Sequence, residues 1–322
     1  MWIGSAEVGS QVFTAPMAGF SDLPFRQTVL SLGNCCPEGE MVSANPGLLG
    51  SEESQLRVSF GEGAGLRIVQ LLGANPAWMA RAARFVEGLG AQVIDINMGC
   101  PAKKVCRTEC GAALMKNEEL ALQVIRAVRE AVRVPVTLKL RTGWDEDHKN
   151  ALDIAQRAEQ LGVSLITVHG RTRMQGYAGR AEYDTVKRIK RSLSIPVIAN
   201  GDIDSVDKAL RVMDYTAADG VMVGRGCLGD PWLPARMSAV FCGSADPGQP
   251  SPGERLRVIL GHMDRHLRFY GERLGLRTFR KHLLWYLRRT EGAAPLAPPL
   301  LALSDPGTVK EKLTEFFEKA EM

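Results

Sequence analysis

Short apolar runs recur along the chain as far as about Leu233, and amphipathic stretches separate them. The runs are four to six residues long and rich in β-branched residues, which is typical of strands buried on both faces. The eight runs are Val12–Ala15, Glu40–Ser43, Arg67–Leu72, Val93–Asn97, Val136–Leu140, Leu165–His169, Val197–Asn200 and Gly220–Val223. The pattern predicts eight buried strands.

Helix signals lie between these runs. Asn75 followed by Pro76 is typical of an N-cap and the first helical position, and Gly90 of a helix end. Similar segments cover residues 118–132, 150–161, 183–192 and 205–213. Eight strands alternating with helices predict an α/β fold, a parallel (β/α)8 TIM barrel. A doubly wound open sheet is the alternative that fits the same alternation.

The end of the chain changes character. Residues 245–253 are rich in proline, glycine and serine, as linkers are. Beyond them the pattern predicts only helices, over residues 252–270, 273–289 and 308–320, with a proline-rich stretch at 295–299. We therefore predict two domains, a catalytic barrel over residues 1–244 and a small all-helical domain over residues 245–322.

Composition and charge narrow the function classes. Hydrophobic residues make up 45% of the chain and charged residues 24%, which is ordinary for a globular protein. Neither an apolar run of membrane-spanning length nor a secretion signal is evident, so we expect a cytoplasmic protein without a membrane partner. No stable protein partner is implied.

The net charge of +4 is unevenly distributed. The segment Glu254–Arg289 holds ten Lys or Arg against three acids, so the rest of the chain sums to −3 by subtraction of this excess of seven. A basic block on a nearly neutral body predicts a docking surface for an anionic partner.

Seven cysteines are more consistent with free thiols than with disulfides, because none forms a Cys-x-x-Cys pair and Cys35 adjoins Cys36. Cys100, Cys106 and Cys110 lie close together, but their spacing matches no common metal or iron–sulfur motif. We therefore expect no metal site.

Polar residues lie at the ends of several predicted strands, where barrels place their chemistry. Burying such groups without partners costs free energy, so each needs an explanation. They are Gln70, Asn97, Lys139, Arg141, His169, Asn200 and Asp202. One such residue alone is more often a satisfied core group, but their joint placement predicts a single binding site.

Glycine-containing loops follow the last two predicted strands, where TIM barrels commonly bind phosphate. They are Asn200-Gly201-Asp202 and Gly224-Arg225-Gly226. The second loop reads formally as Gly-x-Gly-x-x-Gly, but no strand with an acidic ribose ligand follows it, so we reject a dinucleotide fold. With the tight turn Pro16-Met17-Ala18-Gly19, these loops predict a site for flavin mononucleotide (FMN).

Cys100 lies just beyond the fourth predicted strand, in Asn97-Met98-Gly99-Cys100-Pro101. A free cysteine is most often a small buried hydrophobic residue. At a barrel mouth opposite a flavin, the same thiol could act as a general acid. The spacing alone leaves both interpretations open.

Six stretches together resemble the tRNA-dihydrouridine synthases, most closely the bacterial B-type members. They are Ala15–Gly19, Asp95–Val105, Lys139–Trp144, His169–Arg173, Ala199–Ile203 and Gly224–Arg225. These stretches span the whole predicted barrel in order, and the helical C-terminus also fits. The Asn-x-Gly-Cys-Pro segment with the downstream Lys and His motifs is highly specific in combination.

This resemblance implies an FMN enzyme that uses NADPH to reduce the uracil 5,6-double bond in tRNA. It implies FMN contacts from Pro16, Met17, Ala18, Gln70, Lys139, His169, Asn200, Gly201, Asp202, Gly224 and Arg225. It makes Cys100 the proton donor and places Asn97 and Arg141 at the uracil or flavin face. The basic helices then suggest a tRNA surface formed by Arg277, Arg280 and Lys281, which Arg171 and Arg173 would extend to the barrel rim.

Two other functions stay open on the residues alone. One is a flavin barrel that acts on a free pyrimidine, which would not need the basic helices. The other is a non-catalytic RNA-binding barrel, which would not need Lys139, Cys100 or the phosphate loops.

Overall fold

The computed structural model describes residues 1–61 and 65–321, and its main feature is one curled parallel sheet. Its strands are β3 (Val12–Thr14), β4 (Cys36–Pro37), β5 (Val42–Ser43), β6 (Ile68–Leu72), β7 (Val93–Met98), β8 (Val136–Arg141), β9 (Ile166–His169), β10 (Val197–Asn200) and β11 (Gly220–Val223). The spatial order is β4-β3-β11-β10-β9-β8-β7-β6-β5. Because β11 pairs in parallel with β3, the first and last strands are neighbours. The predicted TIM-barrel architecture is confirmed, and the doubly wound alternative is wrong.

The second strand of the barrel is divided, which differs from the prediction of one run over Glu40–Ser43. Its first piece, β4, pairs with β3, and its second piece, β5, pairs with β6. Pro37 lacks an amide hydrogen and Gly39 follows it closely, so the ladder is interrupted there. Glu40 lies outside the strand, where its carboxylate accepts a hydrogen bond from the Gly19 amide at 2.5 Å.

Helices follow the strands around the barrel. They are α1 (Leu23–Leu30), α2 (Pro46–Leu49), α3 (Glu52–Arg57), α4 (Pro76–Gly88), α5 (Lys103–Cys106), α6 (Glu118–Ala131), α7 (Ala151–Gln160), α8 (Asp184–Ser192), α9 (Val206–Thr216) and α10 (Leu233–Phe241). The predicted cap is confirmed, since the Asn75 side chain accepts from the Trp78 amide at 3.0 Å. Gly90, just beyond this helix, has φ +97°, a conformation that favours glycine.

A short antiparallel hairpin, β1 (Trp2–Ile3) and β2 (Ala6–Glu7), precedes the barrel. Ile3 and Val8 pack with interior residues of the strands, among them Phe13, Val93 and Ile198. The amino-terminal end of the barrel is therefore filled by apolar side chains, while the polar strand ends lie at the opposite, carboxyl-terminal end.

Four helices follow the barrel: α11 (Pro252–Tyr270), α12 (Glu272–Arg288), α13 (Ala297–Ala302) and α14 (Pro306–Glu321). Their buried residues form a hydrophobic cluster of their own, in which Phe279 and Leu313 are fully buried. Helix α11 also packs against α1 of the barrel. Within the described part of the chain, no helix is long and apolar enough to cross a membrane.

Candidate active site

The strand pairing brings the predicted polar residues together at the mouth of the barrel. Gln70 is the pairing partner of Asp95, and Asn97 that of Lys139. His169 is paired with Arg141 on one side and Asn200 on the other. Side chains of directly paired residues point to the same face of a sheet. The strand-end residues that the sequence singled out therefore form one connected interior surface.

A chain of hydrogen bonds links the barrel interior to the loop that carries Cys100. Thr137 donates to Asp95 Oδ1 at 2.6 Å, and the Gln70 amide donates to Asp95 Oδ2 at 2.7 Å. The Asn97 amide donates to Gln70 Oε1 at 2.6 Å. Asn97 Oδ1 then accepts from the backbone amide of Cys100 at 2.9 Å. Each partner fixes the next, so the position of Cys100 depends on residues deep in the barrel.

Buried charges lie beside this chain. Lys139 is 9% exposed, and its ammonium donates to Asn200 Oδ1 at 3.1 Å. Burial lowers the pKa of Lys139 to about 8, although the nearby carboxylates of Glu38 and Asp95 oppose this shift. Burial also raises the pKa of Asp95 to about 6 and that of Glu38 well above its ordinary value. The Lys139 ammonium thus interacts electrostatically with two buried carboxyl groups, those of Glu38 and Asp95.

Cys100 is half-buried at the rim rather than enclosed in apolar packing. Burial raises the pKa of its thiol above the ordinary value, while the nearby Arg141 and Lys139 lower it by a smaller amount. Gly111 packs against it, because a Cβ there would lie 2.8 Å from the Cys100 carbonyl oxygen. The thiol is therefore protonated at neutral pH and held in place, as a proton donor requires.

Two arginines have roles other than the expected ones. The Arg141 guanidinium donates to the carbonyls of Gly99 at 2.7 Å and Thr172 at 2.9 Å, so it holds the Cys100 loop against the loop after β9. Arg171 is 2% exposed and donates to Asp202 Oδ2 at 2.7 Å. The part of Arg171 in an outer tRNA surface stays a prediction, and its buried side chain, bonded to Asp202 inside the rim, argues against it.

The loop after β10 is tightly constrained. Asp202 has φ +49°, and besides Arg171 it accepts from the Ala181 amide at 2.8 Å. Gly201 has φ +122°, and a Cβ there would lie 2.7 Å from Ala181. Burial lowers the pKa of the neighbouring His169 to about 2, with Lys139 as the next cause. His169 is therefore neutral and can donate or accept a hydrogen bond.

The glycines after β11 serve different purposes. A Cβ at Gly226 would lie 2.5 Å from the Ile203 carbonyl, and one at Gly229 would lie 2.3 Å from the Trp285 carbonyl. These two glycines permit close backbone packing. Gly224 is different, because an added Cβ would meet only the Ala15 Cβ, at 3.8 Å. Of these three glycines, Gly224 is the one with open space beside it. It lies near Ala15, which precedes Pro16, Met17 and Ala18, and it is followed by Arg225.

Aromatic and cationic side chains alternate around the rim. Tyr177 is 58% exposed and lies under both Arg225 and Arg141, at 4.9 and 5.6 Å from its ring centre. Trp144 lies under Arg173 at 4.7 Å and under Lys116 at 4.8 Å. Such pairs combine positive charge with flat surfaces on which a base can stack.

The basic residues of α12 divide by position. Arg277 is exposed to solvent. The Lys281 ammonium lies 5.5 Å from the ring centre of Phe20, beside the loop that follows β3. Arg280 is half-buried and donates to the Leu303 carbonyl at 2.7 Å, which ties α12 to the end of α13. Lys281 thus brings the basic segment to the barrel mouth, whereas Arg280 has a structural contact.

The family model described as dihydrouridine synthase (Dus) matches residues 13–321. The chain belongs to the dihydrouridine synthase family. It is 45% identical over 317 residues to the tRNA-dihydrouridine synthase B of Pasteurella multocida, covering 98% of this chain and 96% of that protein. It is 44% identical to a probable tRNA-dihydrouridine synthase of Rhodobacter capsulatus, covering 99% and 98%.

Two solved structures with the same barrel are more distant in sequence than these two synthases. Histamine dehydrogenase from Rhizobium sp. 4-9 superposes with a TM-score of 0.59 at 15% identity, over 82% of this chain and 50% of that one. A 2-naphthoyl-CoA reductase complex gives 0.61 at 11% identity, over 76% and 52%. The chain spans about half the length of these two structures, and the likeness shows the fold.

Several residues of this dihydrouridine synthase site were missed by the sequence reasoning. Asp95 alternates with Asn97 along β7, so a period-two reading of that strand would have placed both inside. Glu38 was missed because the second strand was predicted at Glu40–Ser43, whereas its first piece ends at Pro37, directly before Glu38. Tyr177 lies in the loop after β9, and no periodic signal marks it.

Proposed function

We propose that this chain is a tRNA-dihydrouridine synthase that reduces the C5=C6 bond of uridine in tRNA, with FMN as cofactor and NADPH as electron donor. The observation that carries the proposal is a half-buried Cys100 held at the rim by Asn97 and Arg141. We assign catalysis to residues 1–244 and tRNA binding to residues 245–322, and such a substrate fits a cytoplasmic enzyme.

The residues at the mouth suit FMN. An ammonium has three hydrogen-bond donors, and Lys139 uses one of them within the described residues, on Asn200. The others are free for the edge of the flavin ring that becomes anionic on reduction. Gln70 also keeps an amide hydrogen beyond its bond to Asp95. Arg225 is 52% exposed, beside the open space at Gly224, and offers a cation for the phosphate. We also assign to this cradle His169, Asn200, Gly201 and Asp202, together with Pro16, Met17 and Ala18.

When bound and reduced, FMN would supply a hydride to C6 of the uracil. Cys100 supplies the proton that C5 needs, because the raised pKa keeps the thiol protonated until then. Arg141 and Lys139 are close enough to stabilise the thiolate that remains. Asn97 and Arg141 thus act chiefly by holding Cys100 in place, and both lie close enough to the mouth to face the uracil.

The substrate base has to leave the stack of a folded RNA to enter this mouth. Tyr177 and Trp144 at the rim offer stacking surfaces, with the Arg225 cation beside Tyr177 and the Arg173 cation beside Trp144. Arg277 and Lys281 continue the positive surface along α12 towards the same mouth. This continuity favours an RNA substrate over a free pyrimidine, for which such an outer surface would be unnecessary.

The proposal is tested by incubating purified, flavin-loaded protein and NADPH with unmodified tRNA and measuring dihydrouridine by mass spectrometry. We expect dihydrouridine at defined positions, and those positions should lack it in tRNA from cells without this protein. Faster reduction of free uracil than of tRNA would overturn the substrate assignment. A colourless protein that cannot be loaded with FMN would favour a non-catalytic RNA-binding barrel instead.

A further inference from the structure

Four buried side chains meet where the C-terminal helices contact the barrel. Asp22 precedes α1 and caps it, accepting from the Phe25 amide at 3.1 Å. His262 and His266 lie one turn apart on α11, and His282 lies on α12. None of the four is more than 5% exposed, and one potential ligand atom from each lies within 4.8 Å of the others. We call these residues the histidine cluster.

Each of the three imidazole rings lies next to the other two. Their centres are 5.0 Å apart for His262 and His266, 4.6 Å for His262 and His282, and 5.1 Å for His266 and His282. The ring planes are inclined to one another by 54° to 62°. Three imidazoles bound to one tetrahedral Zn²⁺ at about 2.0–2.1 Å would have ring centres about 5 Å apart. The rings therefore already stand at the separations that a shared cation requires.

The tautomer of His266 is fixed by its neighbour. His266 Nδ1 lies 3.2 Å from Thr278 Oγ1, and that hydroxyl donates its own hydrogen to the Leu274 or Gly275 carbonyl, each at 3.0 Å. Thr278 Oγ1 must therefore accept from Nδ1–H. With the hydrogen of the neutral ring on Nδ1, Nε2 is the nitrogen that presents a lone pair.

That lone pair faces another acceptor. His266 Nε2 lies 3.6 Å from Asp22 Oδ2, which also accepts from the Tyr270 hydroxyl at 3.2 Å. Within the described part of the chain, Nε2 of all three cluster histidines is buried without a hydrogen-bond partner. Buried acceptors that face each other need a positive group between them, either a shared proton or a cation.

We propose that Asp22, His262, His266 and His282 bind one divalent first-row transition cation, Zn²⁺ being the best match. Three neutral imidazoles and a carboxylate are ligands that Zn²⁺ takes in four-coordinate sites. Thr278 supports the ligand His266 in the way that outer hydrogen-bond acceptors support metal-bound histidines, and the Tyr286 hydroxyl, 3.0 Å from His262 Nδ1, is placed to do the same.

The cation would join the two parts of the molecule. Asp22 belongs to the segment that follows β3, whereas the three histidines belong to the helices that carry Arg277 and Lys281. A metal bound by both sides fixes those basic helices relative to the barrel mouth. We assign it a structural role, because all four ligands are provided by the chain and the site is closed to solvent.

The test begins with the metal content of tag-free protein from zinc-supplemented cells, measured by inductively coupled plasma mass spectrometry. We expect about one zinc per chain in the wild type, and less than about a tenth in His266→Ala. The matched control is His148→Ala, which removes an exposed histidine whose side chain, among the residues the structure describes, pairs with Asp145 alone. It should keep the metal of the wild type. Unchanged zinc in His266→Ala would overturn the proposal.

Zinc K-edge absorption on the wild-type protein gives an answer even if His266→Ala fails to fold. We expect only nitrogen and oxygen neighbours of the zinc, at about 2.0–2.1 Å. Sulfur neighbours at about 2.3 Å would show that cysteines bind the metal and would refute the site. Wild-type protein that neither contains zinc nor takes it up in calorimetric titration also refutes it. The cluster would then hold a proton between Asp22 and His266.

Discussion

The barrel mouth and the histidine cluster are both buried and polar, but they satisfy their polar atoms in different ways. At the mouth, Asp95 accepts from two side chains, and Gln70 both donates and accepts within the protein. In the histidine cluster, hydroxyl groups engage the outer nitrogens of His262 and His266, while Nε2 of all three histidines lacks a partner within the described residues. The bonds around Asp95 and Gln70 are made by side chains of the protein itself, whereas the three Nε2 atoms of the histidine cluster make no hydrogen bond among the described residues.

This difference indicates what each region is built to do. A network whose members fix one another positions a reacting group accurately, here Cys100. A group of neighbouring buried nitrogens without hydrogen-bond partners is unfavourable by itself and becomes favourable when a cation binds to them. Substitutions at the mouth should therefore change the reaction rate and flavin binding. Substitutions in the cluster should change the metal content and the packing of the C-terminal helices against the barrel.

The largest effect is expected for Cys100→Ala. Removing a general acid commonly slows a reaction about 10²–10⁴-fold, so dihydrouridine formation should fall by that order while bound flavin and its reduction by NADPH persist. Product is measured by mass spectrometry and flavin reduction by absorbance. Cys110→Ala is the matched control, since this thiol lies in the same loop and contacts the Thr108 carbonyl. Normal turnover by Cys100→Ala would exclude the thiol as proton donor.

The next effect concerns Lys139, the cation that serves Glu38 and Asp95. Lys139→Met leaves two buried carboxyl groups without it, so we expect a loss of about 3–5 kcal/mol in the free energy of unfolding, together with weaker FMN binding. Adding Glu38→Gln should restore much of the stability but not the flavin affinity. Denaturant unfolding and flavin fluorescence titration measure the two quantities separately. If Lys139→Met is as stable as the wild type, the electrostatic account of the mouth fails.

The raised pKa of Asp95 determines how the free energy of unfolding changes with pH. Its folded pKa is raised from 3.8 to about 6, so between these values the folded protein binds more protons than the unfolded chain. Stability from this group is full below about pH 4 and is lost as the pH rises towards 6. Relative to the wild type, Asp95→Asn should therefore gain about 1–3 kcal/mol between pH 4 and pH 7. Urea unfolding at both pH values measures it, and a constant difference would contradict the shift.

The sequence predicted the barrel well because buried parallel strands leave a strong local signal, as in Val136–Leu140 and Val197–Asn200. It failed at the second strand, where Pro37 and Gly39 interrupt the ladder. Arg171 looked like a surface cation, since nothing local reveals that it binds Asp202 inside the rim. The histidine cluster could not be predicted either, because its ligands come from Asp22 and from helices that lie far along the chain.

A smaller effect sharpens the comparison at the cluster. Thr278→Val keeps the size of the side chain but removes the acceptor that fixes the His266 tautomer, so zinc affinity should fall about 10–100-fold. Competition with a chelator of known affinity measures this change. Thr290→Val is the control, because among the described residues the Thr290 hydroxyl, just beyond α12, donates only to the Tyr286 carbonyl. Equal zinc affinities of Thr278→Val and Thr290→Val would show that Thr278 does not contribute to metal binding.

The smallest effect is expected on the outer face of α12, which should leave both buried regions unchanged. Arg277→Ala with Lys281→Ala should weaken tRNA binding about 10-fold and flatten its salt dependence by about one unit per lost phosphate contact. Flavin and zinc contents should stay at wild-type values, which separates this surface from the mouth and from the cluster. Arg126→Ala, an exposed cation on α6, is the control. If this control weakened binding as much, the effect would reflect overall charge, and α12 would not be the docking surface.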